Sequence, residues 1–325
     1  MELLRIVSML MVLAVHIDGA SLGLPELGGD IAALTPRTAW QLGFEALAIV
    51  GVNCFTLISG YFGIRLRLRG VASYLFQCVF YAVGIYTAVG LSFPSQFSWT
   101  GWAESWMVLT HTDLWYVPAY FGLMLLAPLI NAGFDALSRR EAGILTSAFA
   151  LFNVWAGWWW AGSFNPTGYT LVQLVLMYMV GRYAGRHGLL GSWQGRGGVV
   201  RFGLAYLLLS AAIALHACRN PSMAYAYNSP LVMLSSVALL LMFSRMRLTS
   251  SAINAVARSA FAVYLIHKAP LIWGNLMRPA VRWMWAEMSL WLFVVSSLAL
   301  MVAIYGACMC ADWVRRRIFN ALYRA

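Results

Sequence analysis

The feature that most constrains this chain is the recurrence of apolar runs long enough to cross a hydrocarbon layer of about 30 Å. They fall near residues 3–22, 40–62, 71–91, 115–132, 142–162, 170–187, 201–218, 229–246, 259–278 and 289–311. In lipid no water is present to pair with backbone amides, so each run must satisfy its own hydrogen bonds, and the helix does this within one segment. The expected fold is all-α: a polytopic membrane protein with about ten transmembrane helices, forming a single domain over residues 1–325. Composition agrees. Hydrophobic residues make up 62% of the chain, charged residues 10%, and mean hydropathy is +0.73, which ordinary soluble domains do not reach.

The net charge of +11 belongs to topology. Arg5 and the arginines of 65–69, 139–140, 182–201, 245–258 and 315–324 fall on one side of the expected spans, while Arg37, Arg219, Arg278 and Arg282 fall on the other and Lys268 lies within the ninth run. Basic loops face the cytoplasm, so both termini are expected there, in a multi-pass protein of the inner (cytoplasmic) membrane, with the lipid bilayer as partner and no nucleic acid. Tryptophans show a second asymmetry. Trp40, Trp99, Trp102, Trp106, Trp115, Trp155, Trp158, Trp159, Trp160, Trp273, Trp283, Trp285 and Trp291 fall in or near the outer half, and only Trp193 and Trp313 on the inner side. An aromatic belt decorates both interfaces. The excess, beside Glu104, His111 and Asp113, suits stacking on sugar rings, with Trp115, Trp158, Trp159, Trp160 and Asp113 as candidate substrate-binding residues. Outer loops folded onto the membrane are the plainer alternative. Cys54, Cys78, Cys218, Cys308 and Cys310 lack paired metal-ligand spacing and read as small core residues, so no metal is expected. Residues 6–15 would serve as the apolar core of a signal peptide, but the basic flank is weak and further spans follow, which favours a retained first helix.

Polar residues inside the runs carry the chemical information. In the first run Arg5 and His16 are eleven positions apart, which places them within about 20° on one helical face and about 16 Å apart along the axis. An arginine at the centre of a membrane helix costs roughly 2.5–3.5 kcal/mol on insertion scales, so an intramembrane ionisable group points to function. Arg5 lies near the helix start and can snorkel; His16 has no such escape. In the second run, read as one continuous helix, Glu45, Thr56 and Ser59 share a face, with Asn53 at its edge. Hydroxyls there often join membrane helices, whereas Glu45 reads as the natural partner of His16, fixing its tautomer. Arg65, Arg67 and Arg69 follow in GIRLRLRG, either as topogenic charge or as an anion site for the phosphates of a cytoplasmic cofactor. His267 and Lys268, before Pro270, read as a cavity or a hydrogen-bonded join, with the join favoured.

Four segments, ELLRIVSMLMVLAVHI, GVNCFTLISGYF, DLWYVPAYFGLMLLAPLIN and FAVYLIH, resemble in order and spacing the acyltransferase-3 family of integral-membrane acyltransferases, in wording nearest to the exopolysaccharide and capsule O-acetyltransferase branch. The specific part is the Arg, ten residues, then His of the first run combined with LISGYF. The resemblance implies ten core helices, an acyl-CoA donor, usually acetyl-CoA, used from the cytoplasm, and an acceptor hydroxyl on an envelope glycan or lipid-linked sugar. His16 matches the family's essential histidine, Arg5 its arginine, and Ser59 with Gly60 the serine and glycine of its second-helix motif. Arg67 and Arg69 fall where the family has a basic motif, without the proline that commonly follows. No esterase-like domain follows the last run, so the chemistry is expected of the membrane core, alone or with partners in polysaccharide synthesis.

Acyl transfer from a thioester to a hydroxyl needs a base for the hydroxyl proton and a group that stabilises the oxyanion. The expected catalytic set is His16, Arg5 and Glu45, with Arg65, Arg67, Arg69 and Ser59 toward the acyl-CoA. His16 would activate the acceptor, or first carry the acetyl group itself. Two other readings stay open: a transporter or flippase for a lipid-linked sugar, disfavoured by the lack of a visible repeat between the two halves, and a non-catalytic subunit of a polysaccharide synthase.

Overall fold

The fold is described from a computed structural model covering residues 1–160, 163–190, 195–246 and 248–323; Trp193, Arg247 and Arg324 lie outside the described residues. The described chain is helical. In order come α1 (Glu2–Ile17), α2 (Gly19–Leu22), α3 (Pro36–Ala48), α4 (Gly51–Phe62), α5 (Leu68–Ser92) and α6 (Trp99–Glu104). Then follow α7 (Tyr116–Ala136), α8 (Arg139–Phe152), α9 (Leu171–His187), α10 (Gly195–Ala217), α11 (Pro221–Ala224) and α12 (Pro230–Ser244). The last are α13 (Ser251–Ala257), α14 (Ala260–His267), α15 (Pro270–Ile272), α16 (Arg278–Glu287) and α17 (Leu290–Leu322). The backbone widens into π-helical turns at Asn153–Trp159 and Trp273–Met277.

Every expected span coincides with helix, but among the described residues six helices are long and apolar enough to cross a membrane: Glu2–Leu22, Pro36–Phe62, Leu68–Ser92, Tyr116–Ala136, Gly195–Ala217 and Leu290–Leu322. The remaining expected spans are shorter or interrupted. α9 has 17 residues and α12 has 15, α8 gives way to a π turn at Asn153, and the ninth run breaks at Lys268, just before Pro270 opens α15. The second run is also irregular: hydrogen-bonded turns at Ile49 and Val50 separate α3 from α4. Ile49 and Val50 keep right-handed helical angles, so the stripe expected from Glu45 to Ser59 runs through a local irregularity within the one span Pro36–Phe62.

Contacts group the chain into two compact units, Met1–Arg65 with Gly122–Asn254, and Leu66–Phe121 with Ala255–Ala325. In the first, α4 and α9 approach backbone to backbone. A Cβ at Gly60 would collide with the Tyr178 carbonyl, one at Gly181 with that of Leu57, and one at Gly185 with that of Tyr61. Such small-residue faces take the place of the hydrophobic effect between helices in lipid. α1 packs on α4 in the same way, with the Ser8 carbonyl 2.7 Å from where a Cβ of Gly51 would be. α4 stops at Gly63, whose φ of +76° suits glycine. The chain is then held by Tyr178, whose hydroxyl accepts from Ile64 N at 2.8 Å and donates to Asn131 Oδ1 at 2.9 Å, while Asn131 Nδ2 donates to the Ile64 carbonyl.

In the second unit an aromatic cluster joins α5, the start of α7 and α14: Tyr74 packs against Tyr120, Phe121 and Phe261, and its hydroxyl donates to the Val117 carbonyl at 2.8 Å. Midway along α5, Tyr81 donates to the buried Asp312 at 3.1 Å, and Arg315 Nε and Nη2 bind the same oxygen at 3.0 and 2.8 Å. Arg315, read from sequence as topogenic charge, is 5% exposed and ties up a buried carboxylate. Of the cysteines, Cys54, Cys78 and Cys308 are buried as expected, whereas Cys218 is half-buried and Cys310 exposed; Cys310 is no core residue.

Candidate active site

Asp18 breaks the first helix. It still donates N–H to the Ala14 carbonyl at 2.9 Å, but its ψ of −95° turns the chain out of α1 and into the single turn of α2. His16 thus lies in the last turn of α1, half-buried, and its carbonyl accepts from the Ser21 hydroxyl at 2.7 Å. Glu45, on α3 and 3% exposed, reaches the same turn and accepts from Gly19 N at 3.4 Å. A Cβ at Gly19 would lie 3.0 Å from Glu45 Oε1, so glycine there allows the carboxylate its approach. Asp18 is 1% exposed, and neither of its carboxylate oxygens has a hydrogen-bond partner among the described residues. Gln41, the amide beside it, commits Nε2 to the Gly23 carbonyl at 3.1 Å. Tyr225 closes this region, its hydroxyl on the Leu42 carbonyl at 2.8 Å. The structure thus brings Glu45 to the turn that follows His16 and adds a second buried acid, Asp18, which sequence reasoning missed. The signal was available: an aspartate two residues after a histidine, still within the first apolar run.

Arg5 is at the far end of α1. Its Nη1 pairs with Glu2 Oε2 at 2.7 Å, both side chains about one-third exposed. The first helix therefore supplies its own counter-ion for Arg5, one turn away. Ser59 and Thr56 donate back to their own helix, to the Phe55 carbonyl at 3.0 Å and the Val52 carbonyl at 3.5 Å. Arg67 is the N-cap residue of α5, and the Arg69 guanidinium lies 5.1 Å from the Tyr323 ring centre. Arg65 ends the first segment of the first unit, and Arg67 and Arg69 belong to the second.

The three consecutive tryptophans are not equivalent. Trp158 turns inward and donates Nε1 to the Met223 carbonyl at 2.8 Å, while Trp159 and Trp160 are 65% and 67% exposed. Trp115 packs edge-on against Tyr116, and Asp113 belongs with them to the second unit, on the approach to α7. In that unit His267 is buried, with Nδ1 on the Val263 carbonyl, and Lys268 Nζ sits 3.9 Å above the Trp273 ring. The His267 bond lies within α14 itself, four residues back, and does not join it to another helix.

A buried carboxamide network was not anticipated. Asn53, Asn153, Asn165, Gln173 and Asn228 are all fully buried. Asn165 Nδ2 donates to Asn153 Oδ1 at 2.7 Å, Asn153 Nδ2 to Gln173 Oε1 at 3.1 Å, and Gln173 Nε2 to the Tyr227 carbonyl at 2.8 Å. Asn53 Nδ2 reaches that same carbonyl at 2.9 Å, Thr170 donates to Asn165 Oδ1 at 2.7 Å, and Asn228 Nδ2 donates to the Asn165 carbonyl. This network fixes α4, α9 and the two loops before α9 and α12. No group of three or more His, Cys, Asp or Glu side chains among the described residues is arranged to hold a metal ion.

Against known families, a family model described as an acyltransferase domain matches residues 1–310. No curated protein shows significant similarity to the chain, and no solved structure does.

Proposed function

This chain belongs to the acyltransferase-3 family and is a multi-pass membrane protein with acyltransferase chemistry, and we propose that it moves an acetyl group from cytoplasmic acetyl-CoA to a hydroxyl of an envelope or exported polysaccharide or its lipid-linked precursor. In this reading the protein sits in the inner membrane with ten crossings and both termini in the cytoplasm. The observation that carries it is His16, half-buried at the break after α1, beside a turn shared with the buried carboxylates Glu45 and Asp18.

An imidazole nitrogen of His16 takes the acceptor hydroxyl proton as that oxygen bonds to the thioester carbonyl carbon. The tetrahedral intermediate collapses, the C–S bond breaks, and the leaving CoA sulfur receives the proton from the imidazolium. If His16 instead carries the acetyl group first, the same bonds exchange in two steps. Glu45 orients this end of α1 through the Gly19 N–H. The arginines that follow α4 are proposed for the phosphates of the anionic donor, and the exposed indoles of Trp159 and Trp160 for the acceptor. Arg5, paired with Glu2, serves the inner end of α1 and not the reacting atoms, about 16 Å away along the helix.

The test is O-acetyl content of the envelope glycan by proton NMR in cells carrying the intact protein or His16→Ala at matched membrane levels. Loss of the acetyl signal in the variant is expected, with loss of CoA thiol release from acetyl-CoA in isolated membranes. Retention of both signals would remove His16 as the reacting base. A lipid-linked sugar carrier, by contrast, would release no thiol in either form.

A further inference from the structure

The faces of α8 and α9 frame a surface groove of about 720 Å³ within the first unit, lined by Arg139, Arg140, Ile144, Ala148, Leu151 and Tyr183. Two properties of this groove do not belong to the acyl-transfer site. Its length is apolar and open: Ile144 and Leu151 are 59% and 72% exposed, which for a membrane-embedded helix means contact with lipid. Its end carries a net positive charge, Arg139 and Arg140 against the single carboxylate of Glu141. Of the two carboxylates nearby in sequence, Asp135 is taken by Arg186 and by Arg182 at 3.5 Å. Glu141 is taken by the capping box of α8, its Oε2 accepting from Ser138 N at 2.9 Å. These hydrogen bonds hold the Glu141 carboxyl below its usual range, so it stays ionised and committed to the cap. Arg139 and Arg140 have no ion pair among the described residues, and both are exposed. His187, packed on Tyr183 at 5.2 Å between ring centres, encloses an Nε2 that has no hydrogen-bond partner at the same end.

We infer that this groove binds an anionic phospholipid of the surrounding bilayer, with the phosphate on Arg139 and Arg140 and one acyl chain along Ile144, Ala148 and Leu151. Charge complementarity selects the occupant. A zwitterionic lipid fills the apolar length equally well but brings its own cation to the arginines, and a soluble phosphate offers nothing to the apolar wall. Basic residues at a helix end next to a lipid-facing groove have this preference on general electrostatic grounds, and arginine binds phosphate through a planar fork of donors.

The test uses the full chain purified in detergent and native mass spectrometry with phosphatidylglycerol or phosphatidylcholine of identical acyl chains. Wild type is expected to retain phosphatidylglycerol preferentially, and Arg139→Gln with Arg140→Gln to erase the preference, by about fivefold for each arginine. Arg139→Lys with Arg140→Lys keeps the charge and is expected to keep most of the preference, which separates loss of charge from loss of fold. Ala148→Trp fills the groove and is expected to lower phosphatidylglycerol retention with both arginines present. Equal retention of the two lipids by wild type overturns the proposal, as does a preference that survives the double glutamine change. Competition by inorganic phosphate at the lipid's own concentration would also overturn it, since the apolar wall would then contribute nothing.

Discussion

The buried carboxamides of this protein form a paired network, and the buried carboxylates Asp18 and Glu45 lie apart from it beside the turn after His16. The carboxamides of Asn53, Asn153, Asn165 and Gln173 spend their donors on one another and on the Tyr227 carbonyl, as a structural network must, because an orphaned buried group costs about 1–3 kcal/mol. Asp18 belongs to a different cluster, buried beside the Gln41 amide and the turn that Glu45 reaches. Asn165→Ala removes a donor to Asn153 and the acceptor of Thr170, so a loss of about 1–3 kcal/mol for each orphaned group is expected in thermal unfolding of the purified protein. Combined with Asn153→Ala, the losses should couple by about 0.5–3 kcal/mol in a double-mutant cycle; strictly additive losses would mean the two amides do not act together. Each amide is visible in the sequence as a polar residue in or beside an apolar run. Their meeting is not, because helical periodicity assigns residues to faces of one helix and is silent on which loops fold back onto it.

Helices α4 and α9 show how far pattern reading goes for an element. The run from 40 to 62 is recognisable by hydropathy, and LISGYF by resemblance, while the irregularity at Ile49–Val50, next to Gly51, is not visible in the hydropathy. The partner helix was legible in a different way. Gly181 and Gly185 are four apart, the spacing of a small-residue face, and both meet α4 backbone directly. Gly181→Leu is expected to force α4 and α9 apart, with a lower melting temperature and reduced membrane abundance by immunoblot. Gly84→Leu on α5, where a side chain meets nothing within 4 Å, is expected to leave both unchanged. Equal behaviour of the two variants would show that the close approach contributes nothing to stability.

For the whole molecule the open physical question is how segments of unequal length share one bilayer. At 1.5 Å per residue, α9 spans about 26 Å and α12 about 22 Å, short of a hydrocarbon layer of about 30 Å; membranes thin locally around such helices at modest cost. The ten-span reading of the arginine sorting has them cross all the same. If α8 with its π turn and α9 both cross, Trp160 lies outside while Arg139 and Arg196 lie inside. If they form a re-entrant pair instead, all three stay on one side, and the proposed contact of Trp159 and Trp160 with an exported acceptor fails with them. Single cysteines at these positions decide it. Cys54, Cys78 and Cys308 are buried, but Cys218 is half-buried and Cys310 exposed, so all five native cysteines are first replaced by serine or alanine. With a membrane-impermeant maleimide on intact cells, Trp160→Cys, Arg37→Cys and Arg219→Cys are expected to label directly, and Arg139→Cys and Arg196→Cys only after permeabilisation. Labelling of Arg37→Cys and Arg219→Cys but not Trp160→Cys would keep the charge-sorted frame and remove two crossings from it, which would move the acceptor site away from the tryptophans of this turn.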